Sequence, residues 1–165
     1  MLLFISDANI LIDIEIGGLV APMFSLSYQF AVPDVLFYEE LDEQHGYLLG
    51  MGLESRSLND NMVTRVEQLA QKYPRPGRMD LFALVLAEHE KCPLLTGDSA
   101  LRAVADQENI QVHGTLWLVE EMVKTGKISV QVARNAYLQM QVHGRRLPWH
   151  LAEQRLHAIE EGLQP

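Results

Sequence analysis

"LLTGDSALRAVA", residues 94–105, runs from two leucines through Thr96-Gly97 to Asp98 and a helical pattern. The apolar stretch 93–96 has the length and character of a buried strand, and Asp98 stands where a helix over 98–109 begins. The start of the chain repeats the arrangement. "LLFIS" (2–6) is a continuous apolar run, and Asp7 opens a helix that Gly17-Gly18 closes. Asp is a preferred N-cap residue, so each carboxylate has an ordinary explanation as a cap. Two such strands side by side would also deliver both carboxylates to one end of a sheet. The two roles do not exclude each other.

Outward from these anchors, strand and helix alternate. A short strand is expected at 30–32 and a helix over 33–49, opened by Pro33-Asp34. An edge strand is expected at 53–58, followed by a helix over 59–73 with Met62, Val66, Leu69 and Ala70 at helical spacing. "PRPG" (74–77) is a loop, and 79–91 is a helix apolar nearly all round, hence buried. A last strand is expected at 110–114. From 115 onward only helices are expected, with stops near Gly126 and Gly144–Pro148. Such alternation predicts an α/β fold with a parallel sheet covered by helices on both faces, where sites form at the carboxyl ends of strands.

The 165 residues, 48% of them hydrophobic, suit one globular unit with a full core. We divide them into an α/β part, 1–125, and a helical C-terminal extension, 126–165, packed on it. The apolar opening lacks a basic start and is interrupted by Asp7, Asp13 and Glu15, unlike a signal peptide. No other run is long enough to span a bilayer. A single cysteine, Cys92, excludes an internal disulfide and a thiolate zinc cluster. A cytoplasmic protein without a membrane partner is expected. The net charge of −9 argues against a bulk electrostatic grip on nucleic acid, but bound cations would reverse the sign around a carboxylate cluster.

Two further carboxylates stand out. Asp80 lies in the first turn of the apolar helix, on the face shared with Ala83, Leu84 and Ala87. It is explained either by the helix dipole or by a bound cation. At about 100° per residue, Leu36, Phe37, Leu41, Tyr47 and Leu48 share one side of the 33–49 helix, and Glu40 falls inside that arc while Glu39 falls opposite. Glu40 therefore needs a partner, either an arginine (Arg78 or Arg102) or a site. Crowded carboxylates are how Mg²⁺ or Mn²⁺ sites are built, and such sites support metal-assisted phosphodiester hydrolysis. The six histidines lack zinc-ligand spacing, and neither GxSxG nor a Gly-rich phosphate loop is present.

Four stretches in order, "FISDANILID" (4–13), "VPDVLFYEEL" (32–41), "GRMDLFALVLA" (77–87) and "LLTGDSALRAVA" (94–105), resemble the PIN domains, with "VHGTLWLV" (112–119) as a further element. The resemblance implies a three-layer α/β/α sandwich with a central parallel sheet. It implies a ribonuclease dependent on Mg²⁺ or Mn²⁺ and, as for many bacterial and archaeal members of the VapC kind, a toxin with an antitoxin partner and a homodimer. It makes Asp7, Glu40, Asp80 and Asp98 the catalytic, metal-binding quartet. Asn9 and Thr96 become supporting residues, Asn9 by orienting Asp7. The substrate implied is single-stranded RNA, cut by water to leave a 5′-phosphate and a 3′-hydroxyl. Arg75, Arg78 and Arg102 are the candidates for contacting it, with "KYPRPGR" (72–78) a better basic patch than "GRRLPW" (144–149), whose Trp suits a packed turn. Arg102, where some members carry an acidic or polar residue, either meets the phosphate backbone or is a solvated helix arginine. The alternative from another class is a catalytically silent PIN-like module that binds RNA or protein.

Overall fold

Phe4 and Ile5, both almost fully buried, anchor the central strand of the computed structural model, which describes residues 1–162. The chain runs β1 (Leu2–Ser6), α1 (Ala8–Ile16), α2 (Val20–Phe24), β2 (Tyr28–Pro33), α3 (Asp34–Leu36), a π-helical turn (Phe37–Leu41), α4 (Asp42–His45) and α5 (Leu48–Met51). It continues through β3 (Glu54–Arg56), α6 (Asp60–Lys72), α7 (Arg78–Glu90), β4 (Leu94–Leu95), α8 (Ser99–Gln107), β5 (Val112–His113), α9 (Thr115–Lys124), α10 (Val130–Val142) and α11 (Trp149–Glu160).

The strands form one parallel sheet in the order β3-β2-β1-β4-β5. After β1 the chain moves to one side of the sheet and after β4 to the other, so the topological switch lies between these two strands. Their register sets Ile5 against Leu94 and Ser6 against Leu95, and the next step aligns Asp7 with Thr96. On one face α7 crosses β1, β2 and β4, with α3, α6 and α8 beside it. Its Leu81, Ala83, Leu84, Val85, Leu86 and Ala87 are all buried, as its all-round apolar sequence predicts. The other face carries α1, α2 and α9, with Trp117 of α9 against Phe4 (5.3 Å between ring centroids) and Tyr28 (6.1 Å). This is the expected three-layer α/β/α sandwich.

The expected extension (126–165) contributes α10 and α11; residues 163–165 lie outside the described part. Helix α10 packs on α1 and α9, and α11 on α9 and α10. The approach to α1 is close: a Cβ at Gly17 would stand 2.8 Å from Met140 Cε and 3.2 Å from Ala136 Cβ. Two ion pairs join the layers. Arg155 of α11 is bidentate on the buried Glu120 of α9 (2.6 Å to each oxygen), and Arg145 meets Asp13 of α1 (Nε to Oδ1, 2.6 Å).

Two local expectations fail. Residues 19–29 carry no predicted element, yet α2 forms there; its Pro22 lies in the first turn, where a backbone N–H has no helical partner to lose. The helix expected over 33–49 is interrupted. Asp42 N–H reaches back to Phe37 O, five residues away, so the turn at Phe37–Leu41 holds an extra residue. That insertion shifts the phase of every side chain after it relative to a regular helical wheel. Among the described residues, no helix is long and apolar enough to cross a membrane.

Candidate functional site

Asp7 extends β1 by one residue, its N–H donating to Leu95 O (3.0 Å). Its backbone is extended (φ −82°, ψ 174°), and Oδ1 caps α1 by accepting from Ile10 N–H (2.9 Å). Oδ2 is left for a second partner, the Thr96 hydroxyl, which donates to it at 2.5 Å. Thr96 Oγ1 also accepts the Asp98 N–H (3.1 Å), and Asp98 Oδ1 caps α8 through Ala100 N–H (2.9 Å). One fully buried hydroxyl thus joins the carboxylate of Asp7 to the backbone N–H of Asp98 across the switch point. Both aspartates are caps, as the ordinary explanation holds, and both face the same crevice.

The electrostatics bring Asp80 and Glu40 to the same place. Burial pushes Asp7 from 3.8 up to about 6, against the lowering effect of the Thr96 and Ile10 hydrogen bonds, with the Asp13 and Asp98 charges adding to the rise. Asp80 is raised to about 7, first by burial, then by a hydrogen bond with Asp98, then by the charges of Asp7, Asp98 and Glu40. It sits in the first turn of α7 behind Gly77, an N-cap without a side chain, so the dipole there acts on Asp80 without competition from a capping oxygen. Glu40 is exposed rather than enclosed by the apolar arc, because the π-helical turn re-aims it. Partial burial, and Glu39 beside it, still raise its carboxyl above the usual range. Neither arginine proposed as its partner takes that role: Arg78 pairs with Glu67, and Arg102 Nε donates to Thr96 O (3.3 Å).

Other sequence expectations are redistributed. Asn9 does not turn toward Asp7; its Oδ1 accepts from Arg145 Nη2 (3.0 Å). Arg75 is exposed in the loop before α7, on the face of α8 lined by Ala100 and Ala103. Sequence reasoning missed the buried Asp13, which accepts from Thr115 Oγ1 (2.7 Å) and Arg145 and helps raise Asp7. A carboxylate inside the apolar run "ANILIDIEI" was the available signal. It missed Glu120, buried in "LWLVEEMV", for the same reason.

Among the described residues no three acidic, histidine or cysteine side chains converge closely enough to cage a metal ion as they stand. The donor set nevertheless suits a hard divalent cation: all-carboxylate oxygens, whose neighbouring charges add to the burial that raises Asp7 and Asp80 and which a cation would neutralise.

The family model described as a PIN domain, DUF3368, matches residues 3–161. The chain belongs to the PIN-domain family. PIN domains are generally nucleases, and those nucleases generally use divalent metals. Curated proteins include no match to the chain. Among solved structures, the PIN domain here is similar to a chain of VapBC2 from Rickettsia felis, a complex bound to a DNA fragment from its promoter. The two share 14% identity at a TM-score of 0.48, covering 68% of this chain and 98% of the other. It is also similar to a PilT N-terminus domain protein from the archaeon Sulfolobus solfataricus, with 11% identity and a TM-score of 0.48, covering 74% and 94%.

Proposed function

We propose that this PIN domain is a divalent-metal-dependent endoribonuclease that hydrolyses phosphodiesters of single-stranded RNA. The observation that carries this is the meeting of Asp7 and Asp98, at the carboxyl ends of β1 and β4, with Asp80 from the first turn of α7. There burial first, then a hydrogen bond with Asp98 and the charges of Asp7, Asp98 and Glu40 raise Asp80. Asp7, Asp80, Asp98 and Glu40 would hold Mg²⁺ or Mn²⁺. The bound cation supplies activation of water and neutralisation of charge on the scissile phosphate. The chain's own contribution is positional. Ile10 N–H and Thr96 hold both oxygens of Asp7, while Ala100 N–H holds one oxygen of Asp98. Glu40, exposed at the rim, is free to close on the site or orient water there. Attack by water in line leaves a 5′-phosphate and a 3′-hydroxyl. A cytoplasmic toxin role, with an antitoxin and a homodimer, belongs to the same proposal on family grounds.

The test is cleavage of a mixed single-stranded RNA by wild type and Asp98→Asn in Mn²⁺, Mg²⁺ or EDTA. Asn keeps the cap and removes the charge. Metal-dependent cleavage lost in the variant, with unchanged melting temperature, supports the assignment. Product ends bearing a cyclic phosphate contradict it, as does a variant that still cuts. Silence from the wild type in every metal, with RNA or a partner protein still bound tightly, favours a non-catalytic binding module.

A further inference from the structure

Beside the carboxylates, on the β5 side, lies a groove of about 410 Å³. Gly97 and Ser99, which flank Asp98, form one end of it. Arg102 of α8, His113 of β5 and Trp117 of α9 line its length, and Arg146, from the loop between α10 and α11, closes it from the extension.

The chemistry of these walls differs from that of the chain as a whole, whose net charge is −9. Arg146 is exposed and has no ion-pair partner among the described residues. Arg102 is tethered by Nε to Thr96 O, which leaves its terminal nitrogens available. It lies over Gly114, where a Cβ would stand 3.0 Å from Nη2, so the absence of a side chain there lets the guanidinium cross the β5–α9 turn. Arg155 also lines the groove but is neutralised by Glu120. His113 and Trp117 stack at 4.0 Å and 17°, and Trp117 is backed by Phe4 and Tyr28, so the pair is held as a fixed platform.

We propose that this groove is the RNA-binding track beside the scissile phosphate, with Arg102 and Arg146 on the phosphate backbone and the Trp117–His113 pair stacking against a base. It rests on the ribonuclease reading and adds to it where the strand lies. Cations that track a backbone, alternating with an aromatic platform, are the means by which single strands are held without base-specific hydrogen bonds. The C-terminal extension is thereby part of the substrate site. Of the basic patch legible in the sequence, Arg75 faces the opposite flank of α8, and Arg78 is occupied by Glu67.

Binding of a short fluorescein-labelled oligouridine, followed by anisotropy in Ca²⁺ over a salt series, tests the assignment. Arg146→Glu is compared with Arg75→Glu, an equal charge change on the other flank. Arg146→Glu is expected to weaken binding about tenfold and to flatten the salt dependence by about one phosphate contact, whereas Arg75→Glu costs less than about threefold. Equal losses in both variants, or no loss in Arg146→Glu, overturn the groove and leave the ribonuclease reading standing. A wild type that neither binds oligouridine nor cleaves RNA overturns both. The chain has two tryptophans, so Trp149→Phe isolates the fluorescence of Trp117. Oligouridine is expected to quench it; binding without quenching overturns the stacking assignment.

Discussion

Asp7→Asn separates the two roles of the first carboxylate, because its effect on stability should change sign with pH. Asn caps a helix as well as Asp does, so the bond from Ile10 N–H survives through Oδ1. The amide nitrogen then faces Thr96 Oγ1, which already accepts the Asp98 N–H and loses its own acceptor, at a cost of about 1–2 kcal/mol. Against this stands relief of a buried charge. Asp7 is 1% exposed, and its rise from 3.8 to about 6 is worth about 3 kcal/mol at about 1.4 kcal/mol per tenfold change in proton affinity. A carboxyl raised in the folded state contributes stability that is full below pH 3.8 and lost as the pH climbs through about 6. Asn cannot ionise and escapes that loss. In EDTA at about pH 8 the variant should therefore be more stable by about 1–2 kcal/mol, a rise in melting temperature of about 2–6 °C. Near pH 4 only the hydrogen-bond cost remains, and the melting temperature should fall by a similar amount. Calorimetric melts at the two pH values decide it. An equal fall at both would refute the reasoning and reduce Asp7 to a cap.

Three other substitutions have defined outcomes. Arg155→Ala leaves Glu120 buried and unpaired and should cost about 3 kcal/mol, read as a fall of roughly 10 °C in melting temperature, with Glu120→Gln restoring part of it. Thr96→Val keeps the shape of a fully buried residue but removes one donor and one acceptor between Asp7 and Asp98. Its cost of about 2 kcal/mol should be larger at pH 8 than at pH 4, and the Mn²⁺ concentration for half-maximal cleavage should rise about tenfold. Gly114→Ala displaces the Arg102 guanidinium by a few tenths of an ångström and should weaken oligouridine binding about threefold without changing the melting temperature.

The strand and helix sequence around the site was legible wherever a local pattern carried it. Buried strands read as apolar runs, and Asp7 and Asp98 read as helix starts because capping is decided within a few residues. Glu40 shows where a local pattern misleads. The wheel assumes a constant turn angle, and the π-helical turn at Phe37–Leu41 breaks that assumption with no Gly or Pro to announce it. Asn9 illustrates the other limit. Its position beside Asp7 in the chain suggested one partner, and Arg145 from the distant extension supplied another. Arg75, Arg78 and Arg146 looked alike as exposed cations until Glu67 claimed one and the groove received another.

By itself the sequence determined most of the strands and helices, though not α2 or the break at Phe37–Leu41, and which carboxylates stand at strand ends. Each follows from contacts over a turn or two of chain. The tertiary structure alone decided that β1 lies against β4, which lets Thr96 join Asp7 across 89 residues, and that Arg145 reaches Asp13 across 132. It also decided that Arg146 opens onto the groove beside Asp98. Periodicity reports that a face is buried, but not what covers it. The partner is chosen by packing of the whole core, where the burial of many side chains outweighs the preference of any one segment.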